Sequence, residues 1–108
     1  MEIKLPIKFH ANYKVIVRDE TGEKAARCNR VLVREFTPAE KERFFGTLEE
    51  SERPTHQVTF HDYGCKRSAE GRIVENTADK LTIEIRGGKQ YEFSLLRPGE
   101  EKNLTGAC

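Results

Sequence analysis

No sign of charge dominates this chain: 19 Lys and Arg against 18 Asp and Glu leave a formal net charge of +1. A balanced surface has no global field with which to hold a polyanion, so any nucleic-acid contact has to come from a local patch. Long apolar runs are missing too. The opening segment MEIKLPIKFH is too short and too interrupted for a signal peptide or a membrane span, which leads us to expect a soluble cytoplasmic protein with no membrane partner. The three cysteines, Cys28, Cys65 and Cys108, are odd in number and far apart, a pattern of reduced thiols and not of a disulfide framework. The one double glycine, Gly87-Gly88, lacks the longer glycine pattern and following helix of a phosphate cradle. Repeats and low-complexity tracts are also absent.

What the chain has is alternation. Ile3, Leu5, Ile7, Phe9, Ala11, Tyr13, Val15 and Val17 occupy every odd position of the first seventeen residues, with mostly polar residues between. This predicts either two strands broken near Ala11-Asn12 or one long strand bent around a barrel. Pro6 cannot donate to a ladder and belongs at an edge. A turn through Asp19–Glu23 leads to a return strand including Arg30–Arg34, and Val58 and Phe60 mark a further strand closed by Gly64. A meander follows over 71–76, 81–86 and 90–96.

Loop parity settles the last hairpin. With Gly87-Gly88 as the whole loop, Ile85 would face Gln90 and Ile83 would face Glu92, setting each apolar stripe against its partner's polar one. A three-residue loop, Arg86-Gly87-Gly88, pairs Ile83 with Tyr91 and Leu81 with Phe93. It predicts a type I turn with a bulge and Gly88 left-handed.

One helix start stands out. Thr37-Pro38-Ala39-Glu40 combines an N-cap threonine, proline at the first helical position and a capping-box glutamate. The helix begins at Pro38, with Phe44, Phe45 and Leu48 as its apolar face and Gly46 as its end. The fold class expected is therefore α+β: a strongly curved antiparallel β-sheet or small β-barrel of about six strands, with one short helix starting near residue 38. Residues 1–98 form a single globular domain and 99–108 a polar, mobile tail.

Candidate chemistry is sparse. His56, His61 and Cys65, with Asp62, fall within ten residues and suggest a metal site or a small enzyme, but a separation of five sends the two histidines to opposite faces of a strand. His61-Asp62 as an oriented general base fails for the same reason, since adjacent strand residues diverge. We assign no catalytic residue, metal or cofactor, and the reading leans away from an enzyme. Lys66, Arg67 and Arg72 near Tyr63 make the best basic patch, as a single-strand-binding barrel would use. Glu70 and Glu75 dilute it.

Gly71-Arg72-Ile73-Val74-Glu75 followed by Leu81-Thr82-Ile83 resembles the central hairpin of Sm-like and SH3-like barrels, a likeness of about thirty residues that implies RNA or protein binding. Arg30 and Arg34, with Ser68-x-x-Gly71, resemble parts of the PilZ pattern, which implies a cyclic-dinucleotide-binding barrel; Lys66 stands where that pattern has an acid. Neither is taken as membership. The favoured expectation is a non-enzymatic binding or adaptor module acting through protein-protein contacts or self-association, including a homodimer, with its long amino-terminal strand as a pairing edge. The alternative is a nucleic-acid-binding small β-barrel, and the second alternative the small enzyme or metal protein.

Overall fold

The computed structural model describes residues 2–62 and 64–100. Six antiparallel strands, β1 (Tyr13–Asp19), β2 (Gly22–Glu35), β3 (His56–Asp62), β4 (Cys65–Asn76), β5 (Leu81–Ile85) and β6 (Gln90–Leu95), follow one another around a closed barrel. One helix, α1 (Pro38–Phe45), and a short 3₁₀ turn (Glu50–Glu52) bridge β2 to β3. The α+β small-barrel expectation holds. Closure is made by β1, which pairs with β2 on one side (Val15 opposite Ala26) and β6 on the other (Val15 opposite Phe93). The amino-terminal strand therefore offers no free edge, which removes the support we drew from edge pairing.

Barrels this small are filled by side chains. Tyr13, Val15, Val31, Val58, Phe60, Leu81, Ile83 and Phe93 are all essentially inaccessible, with Phe60 set edge-on to Phe93 at 5.2 Å between ring centroids. β2 and β4 are the longest strands, and each turns a corner. In β2 the register shifts between Asn29 and Leu32, and Arg30 takes a φ of 53°. In β4 it shifts between Ile73 and Glu75. Each bulge bends its strand from one partner to the next.

The first alternating stretch departs from expectation. β1 starts at Tyr13, so the break near Ala11-Asn12 is real, but residues 2–12 are no strand. They cross the barrel end where β1 and β5 begin and β4 and β6 finish. Leu5 is 1% exposed within the core, with Ile3 and Ile7 packed beside it. The Tyr13 hydroxyl donates to the Pro6 carbonyl (3.0 Å) and accepts from Lys8 N–H (2.7 Å). Asn76 accepts from Lys4 N–H and donates to the Glu2 carbonyl, both at 2.8 Å. Leu5 fills the barrel end while Asn76 satisfies backbone groups that no ladder reaches. Pro6 accordingly lies outside the sheet.

The helix begins as expected. Thr37 accepts from Glu40 N–H and the Glu40 carboxylate accepts from Thr37 N–H, with Pro38 at the first position. Its apolar face is thinner than expected: Phe45 meets the buried Phe36 at 5.3 Å, while Phe44 is exposed. The last hairpin has the expected pairing, Ile83 with Tyr91 and Leu81 with Phe93. Gly88 is left-handed as expected, with φ 96°, but the turn class differs. Gly87, third residue of the Ile85–Gly88 turn, has φ 101°, where type I requires about −90° and type II about +80°. Two glycines make that conformation accessible. Of the tail, Glu100 is tied to Lys14 at 2.8 Å, and residues 101–108 lie outside the described part.

Candidate functional site at the open end of the barrel

The two ends of the barrel are built differently. The end crossed by residues 2–12 also carries the α1 connection. At the other, β1 passes to β2 through Glu20-Thr21, β3 to β4 at Gly64, and β5 to β6 through residues 86–89. Among the described residues only these short turns stand at that mouth, and a cleft of about 530 Å³ opens there, bordered by side chains of five strands and of Lys89. This size lies within the range of small-ligand sites.

Register explains its lining. Side chains alternate in and out along each strand, so every core column can be followed outward to the mouth. On β1, Val15 and Val17 lead to Asp19; on β2, Ala26 leads to Lys24; on β3, Phe60 leads to Asp62. On β4, Ala69 leads to Arg67, and on β6, Phe93 and Tyr91 lead to Lys89 just beyond the strand. Each of these five columns changes from apolar to charged at the same end. The floor is Phe60 and Tyr91, their centroids 6.0 Å apart, with Val17 and Ala26 beside them.

The rim is a mixed ring. Arg67 Nε lies 3.6 Å from Asp62 Oδ2, and Asp62 is only 5% exposed. Lys89 Nζ stands 5.4 Å from the Tyr91 ring centroid, a cation–π distance. Asp19 Oδ1 accepts from Thr21 N–H at 2.8 Å and from its hydroxyl at 2.5 Å. Those bonds, hydroxyl first, hold the Asp19 carboxyl below its usual range, and the charges of Lys89 and Lys24 act in the same direction. Neither lysine makes an ion pair among the described residues. Behind the floor the Cys28 thiol is pushed up to about 12, by burial first and by the Asp62 charge second, so it is not a thiolate nucleophile at neutral pH.

The sequence-based candidates are dispersed. His56 and His61 stand at opposite ends and on opposite faces of β3, roughly 16 Å apart along the strand. His56 is buried, its Nδ1 2.9 Å from the Thr55 hydroxyl. Cys65 pairs with Asp62 across the turn and is disulfide-bonded, against the expectation of reduced thiols, while Cys28 is free; among the described residues no three His, Cys, Asp or Glu side chains converge on a metal position. Lys66 and Arg72 share the outer face of β4, six residues and roughly 20 Å apart, while Arg67 has the opposite parity and faces the mouth. Arg72 is occupied, donating from Nη2 to the Glu50 carbonyl at 2.6 Å. Tyr63 lies outside the described residues. Arg34 is held by Gln57 and Glu40 on the barrel wall.

Lys24, Lys89 and Tyr91 were not among the candidates. A signal for them exists, namely a charged residue standing where the apolar parity continues, but it becomes readable only once the register is known. No helix among the described residues is long and apolar enough to cross a membrane. No family model, curated protein or solved structure matches the chain.

Proposed function

We propose that this protein is a non-enzymatic binding module that takes a segment of a partner protein into the open mouth of its barrel. The observation that carries the proposal is the convergence of five core columns on charged ends around an aromatic floor, at the barrel end that no segment among the described residues crosses. An apolar floor supplies affinity and a few placed charges supply orientation, which is the usual composition of a binding cleft. The outer wall is a weaker candidate. Its charges are largely spent on one another, as in Arg18 with Glu23 and Glu92, and Lys80 with Glu75 and Glu92.

Selection of peptides from a displayed random library, followed by charge reversal at one mouth residue and one wall residue, tests this. Lys89→Glu should weaken the selected peptides about tenfold, and Lys66→Glu should leave them unchanged. Loss with Lys66→Glu and none with Lys89→Glu would move the site to the wall.

A further inference from the structure

The mouth has a charge arithmetic that narrows what it can hold. Strand order places β1 between β2 and β6, so Lys24, opposite Val17, and Lys89, just before β6, stand on either side of the β1 column that ends at Asp19. Arg67 is engaged by Asp62. Two lysines against one aspartate leave a single positive charge in surplus on this side of the cleft. Directly below it lie Val17, Ala26 and Tyr91. A group complementary to this arrangement has one negative charge carried next to an apolar body.

Resting on the mouth as the binding site, we infer that its ligand is the carboxyl terminus of a polypeptide ending in an aromatic or large aliphatic residue. Only at a carboxyl terminus does one backbone carbon carry both a carboxylate and the last side chain. The side chain enters the cleft over Phe60 and Tyr91, and the carboxylate lies between the ammonium groups of Lys24 and Lys89. An internal acidic side chain fits less well, because its own stem occupies the space over the floor. Polyanions fit worst: a single surplus positive charge cannot balance a second phosphate, and the Asp19 carboxylate on the same rim repels it.

The test uses two fluorescein-labelled octapeptides of one sequence ending in Phe, one with a free carboxylate and one amidated, titrated by anisotropy against the full chain. A labelled single-stranded oligonucleotide runs in parallel. The free acid should bind at least about tenfold more tightly than the amide, the worth of one charge-assisted contact. Lys24→Glu with Lys89→Glu should abolish that preference, and circular dichroism checks that the doubly substituted barrel stays folded. Replacing the terminal Phe by Gly in the free acid should weaken it comparably. Equal binding of acid and amide, with both lost on lysine reversal, would overturn the carboxylate inference while leaving the mouth as the site. Acid binding indifferent to lysine reversal, or no peptide binding at all, would overturn both. Preferential binding of the oligonucleotide would overturn the inference in favour of a polyanion.

Discussion

Cys28 and Val31 both point into the barrel although three positions separate them, an odd step that a regular strand would send to opposite faces. Arg30 makes this possible. With φ at 53° in the bulge of β2, it absorbs one residue and resets the parity, so that Ala26 and Cys28 line the interior before the bulge and Val31 and Val33 after it. Its amide donates to the Phe9 carbonyl at 3.0 Å, which ties the bulge to the segment crossing the closed end.

A non-glycine residue with left-handed φ carries strain on the order of 1 kcal/mol or more. Arg30→Gly should therefore raise the urea midpoint, by an amount corresponding to about 1 kcal/mol, and Arg30→Val should lower stability by about 1–2 kcal/mol because branching at Cβ is worst tolerated there. Loss of stability in the glycine variant would mean that the arginine side chain, and not the backbone bend, is what the position requires.

Gly71, two residues before the bulge of β4, is fixed by crowding. It pairs with His56 of β3 on one side and Ile85 of β5 on the other, and a Cβ there would run into the Glu84 carbonyl and approach the Ile85 Cα. Both are backbone atoms and neither can swing away. Gly71→Ala should cost about 2 kcal/mol or more by urea unfolding, whereas Gly22→Ala, with open space around its Cβ position and strain from its φ of 130° alone, should cost less.

His56 gives the fold a pH dependence. Burial lowers its pKa below 6.5, outweighing the nearby Glu35 carboxylate, which acts the other way. The unfolded chain thus takes up this proton at higher pH than the folded one, and stability falls as pH drops below about 6.5 toward the folded value. Above that pH the contribution is constant. Urea unfolding between pH 7.5 and 5 should show a decline that His56→Gln reduces; an equal decline in the variant would assign it to other groups.

Much of the architecture was legible because it is written in local patterns. Thr37-Pro38 with Glu40 marked the helix start, the alternation of Leu81–Ile85 and Gln90–Leu95 marked two strands, and apolar parity fixed their pairing. The stretch 3–11 misled because an extended segment that packs Ile3, Leu5, Ile7 and Ala11 against a barrel end alternates just as a strand does. The turn class at Gly87-Gly88 was not fixed by parity, since glycine admits either form. The mouth was hidden for a different reason: Asp19, Lys24, Asp62, Arg67 and Lys89 come from five places in the chain, and only closure of the barrel brings them to one end. The basic patch at Lys66, Arg67 and Arg72 was read from proximity in sequence, and alternation along β4 separates it.

The mouth as binding site is tested most directly by a map of backbone amide shifts during titration with the free-acid peptide. Shifts should centre on Val17, Ala26, Lys89 and Tyr91 and spare Ser68, Glu70 and Arg72 on the outer face of β4. A map centred on that outer face, with the mouth unmoved, would contradict the reading.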